Sequence, residues 1–242
     1  MRTSTRHFFY VSVNHLITIQ DALSFLNQDY YLNYPAIYAL RHGAELVGAN
    51  QHGVALLIPD PDFLLLAGPN PLELVKNRPK PYLVQICGSQ NAPAVAAHFG
   101  FNGVLECHQL YYPHQSIESD LELEPLKQED AAFVLEHYHR LNPKEIELAI
   151  GEERLFGVRD NGQLFAFVGL HDDRSMGMLE VLPEYRRQGW GERIERALIA
   201  KLLQMGELPY GQVVVGNEPS MHLQEKLGFV LCSDKVYWMW NE

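Results

Sequence analysis

The chain has 242 residues, 47% of them hydrophobic, with 19 Lys and Arg against 30 Asp and Glu for a net charge of −11. That length holds one large domain or two modest ones, and with 12 Tyr and 11 Phe the composition excludes a disordered or fibrous chain. The deficit of Lys and Arg argues against a partner held mainly through phosphate contacts, so no nucleic acid is expected.

In chain order, Arg2 and Arg6 are followed by no apolar h-region, so no signal peptide is expected. Residues 45–49 and 54–58 flank the turn 50–53 as a hairpin, and 63–67 form a third strand after Pro59-Asp60-Pro61-Asp62. That turn also cuts the longest apolar stretches well short of a membrane span. Residues 82–88 predict a strand, 91–99 a helix stopped by Gly100-Phe101, and 104–112 a final strand pair. The segment 113–120 has turn and polar residues without periodicity, and the acidity rises across it, from net −3 over 1–120 to net −8 over 121–242. A boundary is expected there, between domains 1–115 and 121–242.

The second half is cleaner. Residues 121–126 alternate like a strand, 128–139 have helical spacing, and a second helix starts at Pro143. Asn161-Gly162 suits a two-residue hairpin turn between strands 154–159 and 163–170. A turn at 172–175 feeds strand 177–182. Then comes helix 191–205, with Ile194, Ala197, Leu198, Leu202 and Met205 on its apolar face and Arg193, Glu195 and Arg196 off it. Strand 211–215, helix 218–227 stopped by Gly228, and a last pair of strands reaching Trp240 complete the half. Gly88 to Gly100 and Gly216 to Gly228 are both 12 residues apart, each after a strand and spanning a helix, which suggests duplicated topology. The halves differ in one crossover: the first has only 68–81, with Pro69, Pro71, Pro79 and Pro81, whereas the second has 183–210. Only the second has room for an anion-binding loop and a full helix.

That crossover carries the chemistry. It reads Leu179-Glu180-Val181-Leu182-Pro183-Glu184-Tyr185-Arg186-Arg187-Gln188-Gly189-Trp190-Gly191. A strand ends, glycines let backbone approach a ligand, and a helix starts with outward N–H groups that suit a phosphate, with Arg186 and Arg187 adding positive charge. These residues, with Gly216-Asn217-Glu218-Pro219-Ser220 and Lys226-Leu227-Gly228-Phe229, resemble the GNAT superfamily of acyl-CoA-dependent N-acyltransferases, and most of all its glycine N-acyltransferase-like branch, over about 121–240.

The resemblance implies that Arg186, Arg187, Gln188, Gly189, Trp190 and Gly191 cradle the pyrophosphate of coenzyme A, with amides from the last three. It implies that Val181 and the adjoining Leu182 meet the pantetheine arm, Val181 offering an amide to the thioester oxygen. Asn217 falls where the family splays two strands apart, with Ser220 on the same helix. Glu180, pointed to the opposite face from Val181 by strand alternation, is the preferred base, although a surface carboxylate has equal claim. For an acid, the family's tyrosine position holds Gln224, which cannot donate a proton in that sense. Tyr237 is the substitute chosen, with Tyr210 and His222 as others, and a thiolate with a pKa of about 8 to 9 can leave without one.

Other residues offer less. His137 and His139 stand on opposite sides of a helix and disfavour a shared metal, so no metal is expected. Tyr30-Tyr31, Tyr111-Tyr112, Trp238 to Trp240, Met176, Met178 and Met205 fit packing. Cys87, Cys107 and Cys232 form neither a zinc pattern nor a disulfide framework, which suits a cytoplasmic protein.

The expected fold class is α/β (α+β): two tandem GNAT-like domains, each a mixed, mostly antiparallel sheet flanked by helices, the first without a coenzyme loop. The expected activity is transfer of an acetyl group from acetyl-CoA to the primary amine of a small molecule or amino acid, with no nucleic-acid or membrane partner and with room for a homodimer. A non-catalytic acyl-CoA sensor and a protein or peptide N-acetyltransferase are the alternatives. Acceptor identity and acyl length stay open.

Overall fold

The computed structural model describes residues 18–241, so Arg2 and Arg6 and the first part of the expected 1–115 domain lie outside it. Thr18 opens α1 (Ile19–Leu26) with a capping box, its hydroxyl accepting from the Asp21 amide while the Asp21 carboxylate takes the Thr18 N–H. α2 (Tyr34–Arg41) follows. The sequence predicts no element over residues 18–41, so neither helix is among the expected ones; helices this short are held by packing rather than propensity.

The meander β1 (Glu45–Asn50), β2 (Gly53–Ile58) and β3 (Phe63–Ala67) leads to β4 (Leu83–Cys87), α3 (Ala92–Phe99) and β5 (Gly103–Tyr111). The second half runs β6 (Glu124–Pro125), α4 (Ala131–His137), α5 (Pro143–Gly151), β7 (Leu155–Asp160), β8 (Gln163–Leu170) and β9 (Met176–Val181). It continues with α6 (Trp190–Gln204), β10 (Tyr210–Val214), α7 (Glu218–Leu227) and β11 (Val230–Trp240).

Four expectations need correction. The strand expected over 121–126 shrinks to β6, which meets β7 only at Glu124↔Gly157 and Pro125↔Phe156, and Pro125 has no N–H to extend a ladder. The helix expected over 128–139 is a 3-10 turn at Gln128–Asp130 followed by α4. The strand pairs expected over 104–112 and up to Trp240 are single strands, β5 and β11, because β11 absorbs its polar residues as a bulge between Leu231 and Lys235 instead of turning back. Met205 does not pack inside: it is 57% exposed at the C-cap of α6, while Met176 and Met178 are buried.

The described residues form one 11-stranded, mostly antiparallel sheet in the order β1-β2-β3-β4-β11-β5-β10-β9-β8-β7-β6. β11, from the second half, lies between β4 and β5, and β5, from the first, lies between β11 and β10. Each half thus ends its run of strands against the last strand of the other. One face of the sheet packs under α1, α2, α4 and α5, and the opposite face under α3, α6 and α7.

Where the halves meet on the first face, the core turns polar. The buried Asp173, in the β8–β9 turn, accepts from Gln85 Nε2 of β4 at 2.7 Å and Gln212 Nε2 of β10 at 2.9 Å through Oδ2. Its Oδ1 accepts from the Ser175 amide at 3.0 Å and hydroxyl at 2.6 Å, and its backbone carbonyl takes the Tyr210 hydroxyl. Among the described residues four donors fix this carboxylate and no cation pairs with it.

Candidate active site

The site begins with two parallel strands that part. β9 meets β10 at a single register pair, Gly211↔Met176, whereas β3 and β4 in the first half stay paired over five, from Phe63↔Leu83 to Ala67↔Cys87. The cause is local: β9 carries a bulge against β8, with its register shift between Phe167 and Gly169, and Met178 there has a left-handed φ of 54°. A bulge bends its strand, so the β10-facing edge of β9 loses its partner beyond Gly177 and its backbone groups face an open cleft. In the first half the ladder closes that space.

The loop after β9 is clamped by aromatics. Tyr185 stacks on Phe165 at 4.2 Å and donates to Asp160 at 3.1 Å, while Trp190 meets the same Phe165 ring edge-on at 4.9 Å. Arg187 (φ 60°) and Gly189 (φ 82°) take the left-handed turn that brings the chain into α6. Glycine is the residue that adopts this without cost. The first intrahelical bond runs from the Arg193 amide to the Gly189 carbonyl at 3.2 Å, so the amides of Trp190, Gly191 and Glu192 point out of the helix start toward the cleft mouth. Gln188 is used locally, donating to the Glu184 carbonyl at 2.8 Å.

The two arginines differ. Arg187 forms no ion pair among the described residues, while Arg186 folds back, its Nε donating to the Val181 carbonyl at 2.7 Å and its Nη2 meeting Glu180 Oε1 at 2.6 Å. Leu182 is tied to β8, its amide donating to the Phe165 carbonyl at 2.9 Å. Across the cleft, Asn217 caps α7 by accepting from the Ser220 amide at 3.3 Å.

The structure separates the two expected catalytic side chains. Glu180 lies on the α4–α5 face, where its charge is felt by the hydroxyl of the half-buried Tyr138, and Val181 packs on the α6 side. Tyr237 also faces the α6 side, but on β11, roughly 14 Å or three strand spacings from β9. It donates to Glu106 at 2.8 Å, and burial and that carboxylate push its pKa up to about 12. Tyr210 is fully buried on Asp173, and His222 is exposed.

One group escapes the sequence pattern. Glu195, expected off the apolar face of α6, is 6% exposed because α7 covers that side as well, and Gln224 Nε2 donates to it at 2.7 Å. The spacing Gly191, Glu195, Ile199, four apart on one face, is the signal that marks a second buried stripe. Burial pushes its pKa up to about 7. A carboxyl whose folded pKa exceeds its ordinary 4.5 adds stability that is complete below 4.5 and lost as pH rises through about 7. Glu195→Gln should therefore be near neutral at pH 5 and more stable than the native chain by up to about 3 kcal/mol at pH 8, measured by urea unfolding at both pH values.

Among the described residues no helix is long and apolar enough to cross a membrane, and no three His, Cys, Asp or Glu side chains gather to hold a metal ion. Residues 156–239, which contain the cleft, match the family model described as FR47-like protein. No curated protein matches the chain. Among solved structures it is similar to a Drosophila protein at 17% identity, covering 91% of this chain and 94% of that one with a TM-score of 0.65. It is similar to a GCN5-related N-acetyltransferase-like protein from Streptococcus suis at 15% identity, covering 91% and 100% with a TM-score of 0.53. It is also similar to a GNAT-family acetyltransferase from Colwellia psychrerythraea at 13% identity, covering 91% and 97% with a TM-score of 0.52. The chain thus has the mixed α/β fold of the GNAT acetyltransferases, with its large, mostly antiparallel sheet flanked by helices.

Proposed function

We propose that the chain is an acyl-CoA-dependent N-acyltransferase that passes an acetyl group from acetyl-CoA to the primary amine of a small molecule or amino acid, by direct attack in a ternary complex. The observation that carries this reading is the cleft between β9 and β10, open above one register pair and capped by the helix start at Trp190 with two arginines beside it. Its shape and charge fit a coenzyme with an anionic pyrophosphate and a narrow, amide-bearing arm: N–H groups and guanidinium at the mouth, an unpaired strand edge along the wall. We take residues 1–115 and 121–242 as two GNAT-like units, the first without a coenzyme site, which the closed β3–β4 ladder supports. We take the setting to be cytoplasmic, on the ground that three cysteines without a paired pattern suit a reducing compartment.

The coenzyme supplies an activated thioester. Holding it beside the amine supplies most of the rate through proximity, and an amide on the freed β9 edge stabilises charge developing on the thioester oxygen. Glu180 takes the proton that the amine gives up, directly or through water. Arg186 links the two events: a pyrophosphate at the α6 start competes with Glu180 for the same guanidinium, and binding it frees the carboxylate for the acceptor.

Arg186→Ala is expected to weaken coenzyme A binding by about 10- to 100-fold, read by calorimetry, as loss of a charge-assisted bond predicts. Release of free thiol from acetyl-CoA over a panel of amines should fall about 100-fold or more in Glu180→Gln. Tight coenzyme binding with no amine that accelerates thioester loss, and no effect of Glu180→Gln, would leave the sensor reading in its place. Acetylation confined to a peptide panel would instead establish a protein substrate.

A further inference from the structure

Glu195 is a buried titratable group that the mechanism above leaves unused. It lies one helical turn beyond Gly191, where an added Cβ would stand 3.6 Å from Leu179 Cδ2 of β9 and 4.0 Å from Leu223 Cδ2 of α7. Residues four apart share a helix face, so Glu195 points to where α6, α7 and the parted edge of β9 converge. Its partner Gln224 adjoins Leu223 and is 8% exposed.

Among the described residues no cation pairs with the carboxyl. Of the charged groups on the elements around it, Glu192 pairs with Arg196 at 3.2 Å and with Lys226 at 2.5 Å. Glu180 of β9 is on the opposite face, and β10 carries only the hydroxyl of Tyr210, already bonded to Asp173. An unpaired buried carboxylate is costly, and the protonated form is the one this setting favours. With Oε2 accepting from Gln224, the proton belongs on Oε1.

Building on the acyltransferase reading, we propose that protonated Glu195 is the acid that protonates the departing sulfur. The amine lone pair forms the C–N bond, the C–S bond breaks with its electrons on sulfur, and the Glu195 proton passes to that sulfur to give the thiol. The nitrogen's proton goes to Glu180, and Glu195 regains its own from solvent. A carboxylic acid near pH 7 transfers its proton downhill to a thiolate whose thiol has a pKa of about 8 to 9.

The test compares acetyl-CoA with its selenoester analogue, whose selenolate is a weaker base and needs no acid, from pH 6 to 9. With acetyl-CoA, kcat should fall as pH rises through about 7, and Glu195→Gln should lower kcat by about 100-fold with KM little changed and that limb abolished. With the selenoester, the limb should vanish in the native chain and Glu195→Gln should cost less than about 3-fold. An equal loss with both esters, or a limb that the native chain keeps with the selenoester, overturns the acid assignment alone. The comparison within the native chain decides the matter even if Glu195→Gln does not fold. Failure of the native chain to bind coenzyme A overturns the acyltransferase reading together with it.

Discussion

Asp173→Ala is expected to destabilise the chain by about 3 to 5 kcal/mol, a large share of the stability of a typical domain. The alanine leaves the buried Gln85 amide and both Ser175 donors without their acceptor in a place water does not reach, whereas the half-buried Gln212 amide keeps Gln109 Oε1 at 3.2 Å; among the described residues the Oε1 of Gln85 is already an unpartnered buried atom. Each orphaned buried donor costs about 1 to 3 kcal/mol. Asp173→Asn should fall between, because its oxygen can still accept from Ser175 while its amino group faces two other donors. Urea unfolding at pH 7 measures this, and a change below about 1 kcal/mol for Asp173→Ala would show that the seam is hydrated or loosely packed. The network spans β4, β10 and the β8–β9 turn, so the loss should unfold both halves in a single transition.

The second large effect concerns the halves themselves. Expressed as separate chains cut within 116–120, neither should unfold cooperatively on its own, and mixing or co-expressing the two should restore a folded complex. The first half would lose β11, which pairs with β4 from Val236↔Cys87 to Met239↔Val84 and whose Val236 and Met239 are fully buried. The second would lose β5, the partner of β10 from Tyr210↔Tyr111 to Val214↔Cys107. Each fragment would then present an unpaired, mostly apolar sheet edge, β4 in the first and β10 in the second, the feature that drives aggregation. Circular dichroism with thermal unfolding of each fragment, and native mass spectrometry of the mixture, report the outcome. A fragment with its own sharp transition would mean that its last strand pairs within its own half when alone.

Much of the second half is legible in the sequence because its signals are local. Asn161-Gly162 forces a hairpin, Asn217 and Gly228 bracket α7 at the residues expected, and the run from Arg186 to Gly191 supplies the glycines and charge that a helix-start anion site needs. The helices α1 and α2 are not among the expected elements: unlike α3, which lies between a strand and the Gly100-Phe101 stop, they follow no strand among the described residues, and α2 ends without a glycine at its cap. Neither is the union of the long strands β5 and β11, because the residues that suggest a turn are taken up as a bulge. For the candidate site, alternation along β9 puts Glu180 and Val181 on opposite faces, but nothing local separates Tyr237 from Glu180 by two intervening strands.

By itself the sequence determined most elements of the second half and the loop: backbone geometry at glycine, asparagine and helix caps depends on neighbours a few residues away. Only the tertiary structure decided which parallel pair opens, which strand each half takes from the other, and which charged side chains are buried. Those outcomes depend on a bulge set by β8, on pairing between segments more than a hundred residues apart, and on α7 covering a second side of α6. Glu195 shows the difference most plainly: on the helix alone it belongs to the solvent face, and the packing of α7 turns it into a buried acid.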